Sequence, residues 1–591
     1  MIYDFCFSNT STDEDFFFYI LAHQAHTLHL NAFFYTHNQH THCLIPDLYT
    51  LIQSHKQSTL TSPLEQFIKD DINYAQQILS FANNMAHALP LSLYFSFIQL
   101  TPITPSQAFY DSLDDVKSAD SLKDIFAHAL PFALLESPQN LSLHDEQNIL
   151  AHFKTPKTYY YTPLQTQQIL NPTSDVFAML NPTNAPTHKP LAKQDKAYFL
   201  DIIRSLKAGE QKVFCTSRGT QLLSLTPNAH THTTILCDIG SLKTYFRTHQ
   251  ARIDILASFE KPLTHLVPKE VFESLFPLNE YGLVKVGLPY DMPLALLGAL
   301  LLQDEIGYFF LSHTQEEADF DFLHSPTPKE QILSIAQNGM FIDTHIAQDN
   351  TFQSLIDAHL GTDSTHSHLI IYLSTKHPSA FLISHQSPNQ PPRVLLDIDF
   401  ENNPQLICEK IIHSYESGDE LLKNFGARFP QILSTLFELP AESRPTRNLI
   451  DIFDTCALVL GLQNKTKAHA INKNTLFYYA YRFVRERGPR IDYKLLREDN
   501  RIWLDYYRII RSCLSFKCAN MEDEVLSFGI IDSLSEFVAT LVRDCITNLN
   551  IDKVLLLGDM LENYIFLDKL LEYLPKNIQL ILPKDGFIDY E

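Results

Sequence analysis

The last forty residues constrain the fold most. Val554–Leu557 is a short apolar run, Ile565–Leu574 has helical spacing, and Ile578–Leu582 is a second apolar run. Strand, helix and strand at that spacing form a β-α-β unit, and such a crossover requires a parallel sheet. The same alternation appears earlier. Tyr198–Ala208 reads as a helix; Lys212–Cys215, Leu222–Leu225, Thr234–Cys237, Val284–Leu288 and Tyr308–Leu311 read as strands. At the N-terminus, residues 2–8 (strand), 16–25 (helix), Ala32–Tyr35 and Cys43–Ile45 (strands) and Leu48–Ser54 (helix) suit a small α+β module. The Ser/Thr/Asp cluster Ser11–Asp15 is positioned to cap its first helix. Residues 385–393 are a turn-rich break, and the final third is mostly helical. The expected class is α/β with an α+β N-terminal module.

With 591 residues, the chain has room for roughly three to five domains. Its 45 Lys+Arg against 68 Asp+Glu give a net charge of -23. An acidic surface disfavours generic nucleic-acid binding. The nine cysteines contain no C-x-x-C pair, which argues against a zinc ribbon or a secreted disulfide framework. The closest pair, Cys513 and Cys518, reads as two buried thiols. His23, His26 and His29, followed by His37, His40 and His42, are a candidate nickel or zinc cluster, against the plainer reading of solvated polar residues. The N-terminus lacks a basic signal region, and the most apolar run, Pro293–Leu302, is too short to span a bilayer. These features predict a cytoplasmic protein without membrane insertion.

Several segments, in order, resemble HypF, the carbamoyltransferase family of NiFe-hydrogenase maturation. LLGDMLENYIFLDKL at Leu556–Leu570 is similar to the family's L-S-G-G-V-F-Q-N-R-L stretch, with Gly558, Asn563 and Leu567 in place and Glu562 where the family has Gln. Pro583, Asp585, Gly586 and Ile588 match its closing L-P-x-D-G-G-I motif. IDIFDTCALVLGL at Ile450–Leu462 resembles G-R-L-F-D-A-V-A-A-L-L-G-L, retaining Phe453, Asp454, Ala457, Leu460, Gly461 and Leu462. GLVKVGLPYDMPL at Gly282–Leu294 resembles a YrdC-like segment, and TSRGTQLL (216–223), KPLTHLV (261–267) and FLSH (310–313) fall at its other motifs, keeping Gly219 and Ser312, losing the Lys of the first and opening the second with Lys261.

The resemblance implies an acylphosphatase-like module at 1–90, an irregular connector at 91–160 in place of a zinc-finger segment, a YrdC-like domain at 161–345 and a truncated actin-like domain at 346–591. It also implies where function has thinned. Asp15 stands where an anion-cradling Arg is expected, and Thr36 stands for the catalytic Asn, with Asn38 close by. Asp559 replaces a glycine of a phosphate turn, and THSH (365–368) and KHP (376–378) do not reproduce the metal histidines. No catalytic or metal-ligating residue is assigned. Gly558, Asn563, Asp585, Gly586, Asp454, Ser312 and Lys261 are the candidate remnants of nucleotide binding.

The resulting expectation is a degenerate, HydE-type hydrogenase accessory protein that binds hydrogenase subunits or maturation proteins. The alternative is an active carbamoyltransferase using carbamoyl phosphate and ATP with Mg. A threonylcarbamoyl-AMP, tRNA-directed role and a His-rich metallochaperone are weaker readings.

Overall fold

The computed structural model describes residues 1–10, 17, 21, 25, 28–30, 32–37, 40–47, 64–88, 92–104, 196–316, 330–347, 351–360, 367–384, 392–463, 471–498, 501–583 and 587–590, except 229, 441, 550 and 552. The chain forms two compact units. One is Met1–Leu263 with Lys285–Glu330; the other is Thr264–Val284 with Gln331–Glu591.

In the first unit, β1 (Ile2–Asn9), β2 (Phe33–His37), β3 (His40–Pro46), α1 (Leu64–Ala88) and β4 (Phe95–Ile103) follow one another, with helical residues Phe17, Leu21 and Ala25 after β1. The sheet order is β2-β3-β1-β4, antiparallel throughout. This split β-α-β arrangement buries Phe5, Phe7, Phe17, Leu21, Phe81 and Phe95 in one core. Strand β4 corrects the irregular reading of residues beyond 90. Its exposure from Ser96 onward leaves no buried–exposed alternation to read, and Pro102 is tolerated because β4 is a sheet edge. The Leu48–Ser54 helix and residues 105–195 lie outside the described residues.

The same unit continues with α2 (Lys196–Lys207), β5 (Lys212–Thr216), β6 (Gly219–Ser224), β7 (Thr231–Leu236), α3 (Ile239–Tyr245) and α4 (Gln250–Leu256). The chain then contributes β8 (Thr264–Leu266) to the second unit and resumes with β9 (Val284–Gly287), α5 (Met292–Gln303) and β10 (Tyr308–His313). The strands run β5-β6-β10-β7-β9, with β9 parallel to β7. Helix α5 contains the most apolar run. Asp291 caps it by accepting from Leu294 N–H at 2.9 Å, and Leu294, Leu297 and Leu301 pack with Leu223, Ile235, Phe309 and Leu311.

The second unit holds the hairpin β11 (Leu333–Ile335) and β12 (Phe341–Asp343), helix α6 (Phe352–Leu360), then β13 (His368–Tyr372), β14 (Ala380–Ile383) and β15 (Arg393–Leu396). A helical layer follows: α7 (Pro404–Ser414), α8 (Gly418–Arg428), α9 (Pro430–Glu438), α10 (Ile452–Leu460), α11 (Lys473–Arg482), α12 (Tyr506–Cys518) and α13 (Asp523–Leu549). The chain closes with β16 (Lys553–Leu557), α14 (Tyr564–Tyr573) and β17 (Gln579–Ile581). The sheet order is β15-β14-β13-β16-β17, antiparallel among the first three and parallel from β13 onward. The closing β-α-β unit is therefore as expected. Leu369, Ile371, Val554 and Leu556 face the helical core, while Ile370, Tyr372, Leu555 and Leu557 face Leu355 and Ile356 of α6. Burial on both sides explains why these strands are unbroken apolar runs.

Helix α13 is long and apolar enough to cross a membrane, but 83% of its most apolar window is buried inside the fold. It is packed as a core helix.

Candidate functional site

Two places gather the chemistry. In the second unit, the turns leaving β13 and β16 lie side by side at the carboxyl ends of adjacent parallel strands, where open α/β sheets hold ligands. Leu373 N–H donates to Leu557 O at 3.0 Å, and Met560 N–H donates back to Leu373 O at 3.1 Å. Gly558 has φ +102°, and a Cβ on it would sit 2.0 Å from Leu373 O, so this position admits only glycine. The N–H groups of this turn are all engaged. Gly558 donates to Ile588 O at 2.7 Å and Asp559 to Asp589 Oδ2 at 3.1 Å, beside the Met560 bond.

The Asp559 carboxylate turns to the neighbouring loop. It accepts from Thr375 N–H at 2.5 Å and Thr375 Oγ1 at 2.6 Å. A carboxylate thus takes the donors that an incoming anion would need. Lys473 Nζ donates to Thr375 O and, at 2.9 Å, to Asp451. Asp454 accepts from Lys473 N–H at 2.6 Å, so the Asp454 carboxyl positions the start of α11. Gly461 ends α10 in the left-handed region at φ +65°, a helix-stop role. Asn563 caps α14, accepting from Ile565 and Phe566 N–H at 3.1 Å. Burial pushes the Asp559 and Asp454 carboxyls up. Glu562 is driven to about 8 by burial and by Asp559 beside it.

In the first unit, the β5–β6 turn carries Arg218. Its guanidinium donates to Glu260 O at 3.0 Å and Lys261 O at 2.9 Å and lies 4.2 Å over the Tyr290 ring. Among the described residues, its Nε and Nη1 are buried without a partner, as are Ser217 Oγ, Gln221 Oε1, Thr234 Oγ1 and Ser312 Oγ. Buried polar atoms are ordinarily paired, and an unpaired guanidinium edge with unpaired hydroxyls in the same unit supplies donors of the kind an anion takes. Lys261 is buried with φ +45°, and its ammonium donates to Ala257 O at 2.8 Å and Ser258 O at 2.6 Å, at the end of α4. Desolvation lowers it to about 7.

The structure therefore brings Gly558 and Asn563 to one turn, places Asp454 two hydrogen-bonded residues away through Lys473 and Thr375, and sets Lys261 and Ser312 in the other unit. Asp585 and Gly586 lie outside the described residues, as do Asp15, Asn38, His23 and His26. His42 pairs with Asp4 at 2.9 Å, and no group of three metal-ligating side chains occurs among the described residues. Arg218 was missed as a site residue; its signal is its place directly before the retained Gly219.

No family model matches the sequence. The chain is 28% identical over 537 residues to Protein HydE of Wolinella succinogenes, covering 87% of this chain and 91% of that protein. The crystal structure of T. kodakarensis HypF superposes with a TM-score of 0.52 at 11% identity, covering 100% of this chain and 96% of that one. A crystal structure of full-length HypF in the phosphate- and nucleotide-bound form gives a TM-score of 0.45 at 12% identity, covering 66% of this chain and 84% of that one. The chain is thus similar to Protein HydE along most of both lengths, and its fold is similar to that of HypF.

Proposed function

We propose that this HypF-like chain is a soluble, cytoplasmic accessory protein of NiFe-hydrogenase maturation, binding hydrogenase subunits or other maturation proteins. One observation carries the reading. At the turn where the resemblance expects a phosphate, the Gly558, Asp559 and Met560 N–H groups are bonded within the chain, and the Asp559 carboxylate occupies the Thr375 donors. ATP with Mg does not fit that turn as it stands: a phosphate would have to displace the acceptors of three N–H groups, two carbonyls and the Asp589 carboxylate, and approach the Asp559 carboxylate. The likeness to HydE along most of both chains supports the wider role. The β2-β3-β1-β4 module supports an acylphosphatase-like head, and the β15-β14-β13-β16-β17 sheet supports an actin-like half.

A second reading has its own observation. The unpartnered Arg218, Ser217 and Ser312 donors favour retained anion binding in the YrdC-like part, and with it an active carbamoyltransferase. Calorimetric titration of the purified protein with ATP and with carbamoyl phosphate, each with and without Mg, separates the two. The accessory reading expects no saturable heat from folded protein and capture of hydrogenase subunits or maturation proteins in a pull-down. Saturable heat lost in Arg218→Ala would overturn it in favour of the enzyme.

A further inference from the structure

Next to the closed turn lies a cavity of about 480 Å³, counting the space open to solvent. Tyr281, Phe477 and Tyr481 give it aromatic walls, with the Tyr281 and Phe477 ring centroids 5.8 Å apart at 61°. Asp559, Glu562 and Asn563 supply its polar lining. Two of these side chains are unspent. The Glu562 carboxyl has no hydrogen-bond partner among the described residues. Asn563 is 5% exposed; its Oδ1 is fixed on the α14 N-terminus, and its Nδ2 has no partner among the described residues. An internally bonded helix cap fixes which arm of the amide is the donor, so Nδ2 awaits an acceptor.

We propose that this cavity binds an organic cation, the guanidinium or ammonium head of an arginine or lysine side chain on a partner polypeptide. Aromatic faces attract cations, and two neighbouring carboxyls reinforce them. Glu562 and Asp559 meet the charged head, and Asn563 Nδ2 takes a main-chain carbonyl of the same residue. The chain's net charge of -23 steers a basic segment toward it. The inference rests on the reading that the adjoining turn holds no phosphate.

Binding is coupled to a proton. The charged or titrating groups around Glu562 are Asp559 on its own turn, Asp589 near the C-terminus, Lys376 after β13, and Tyr281, whose hydroxyl is pushed up first by burial and then by Glu280, Asp559 and Glu562; His265 also lines the cavity. At neutral pH Glu562 holds a proton that an entering cation expels. Affinity therefore rises with pH up to about 8 and then levels.

The test is calorimetry on the full chain with Nα-acetyl-arginine methylamide, its neutral isostere Nα-acetyl-citrulline methylamide, and n-butylguanidinium, at about pH 6.5 and about pH 8.5. The arginine amide should bind at least about tenfold more tightly than the citrulline amide, and more tightly at the higher pH. Butylguanidinium, which lacks the carbonyl, should bind more weakly than the arginine amide. Glu562→Gln keeps the shape, and should lower affinity about tenfold and abolish the pH dependence. Equal binding of citrulline and arginine amides, no binding by either, or an unaffected Glu562→Gln protein would overturn the proposal. An ATP titration of the same sample keeps the two readings apart: ATP heat sinks the accessory reading, whereas absence of cation binding without ATP heat sinks only this inference.

Discussion

Glu562 stands where a glutamine is expected from the resemblance, and a carboxyl there changes how the protein responds to pH. Folding raises its proton affinity to about 8. Between the ordinary carboxylate range and that value, the folded chain holds a proton that the unfolded chain has lost. The stabilisation is therefore fully present below the ordinary range and disappears as pH rises through about 8. Glu562→Gln removes the titration. The variant is expected to exceed the parent by about 1–3 kcal/mol near pH 8, and to match it near pH 4, after discounting for solvent in the cavity. Thermal unfolding across that pH range checks this, and a parent curve parallel to the variant's would contradict it. The site was partly legible at this scale. Asp559 stood out because an acid in a phosphate turn is electrostatically wrong. Its bond to Thr375, 184 positions away, was not legible, because only the parallel pairing of β13 with β16 brings the two turns together.

Elements followed the apolar pattern where one face or both faces were buried. The α10 motif is buried at Phe453, Ala457 and Leu460 and stops at Gly461, as its spacing indicates. The pattern failed at β4, whose residues from Ser96 onward are exposed on both faces. It also could not show that Cys513 faces Cys456, with sulfurs 3.9 Å apart, rather than its sequence neighbour Cys518; both buried thiols lie between α10 and α12. Helix α13 shows a local preference overruled by packing. Gly529 lies in its interior, where alanine is intrinsically better by about 1 kcal/mol. A Cβ there would meet Pro489 Cδ at 2.6 Å and Pro489 O at 2.7 Å, and a Cβ on Gly488 would meet Gly529 Cα at 2.5 Å. Gly529→Ala should therefore destabilise by about 1–3 kcal/mol despite its helix propensity. A denaturant melt checks this, and a stabilised variant would mean that the 488–489 segment gives way freely.

At the scale of the whole molecule, chain order and structural membership part company at Thr264–Val284. These residues sit in the middle of the segment resembling a YrdC-like domain, yet they pack into the second unit. Val267 and Leu283 join its core, and Thr264 Oγ1 donates to Leu333 O at 2.7 Å. Arg482 pairs with Glu273, and Asn474 Nδ2 donates to Glu280 at 2.7 Å. A border drawn from sequence near residue 345 could not reveal this, because the excursion is only 21 residues long and carries no linker composition at either end. The consequence concerns dissection. A fragment of residues 331–591 has the sheet and the helices but lacks part of its own core. Losing two buried apolar side chains alone costs about 3–6 kcal/mol, comparable to the whole stability of many domains. That fragment should unfold without a cooperative transition, whereas supplying a peptide of residues 264–284 in trans should restore part of the transition in proportion to its concentration. Circular dichroism melts with and without the peptide decide the matter. A fragment that melts cooperatively alone would mean that the helical core closes over the gap, and that the excursion serves the cavity around Tyr281 rather than the stability of the unit.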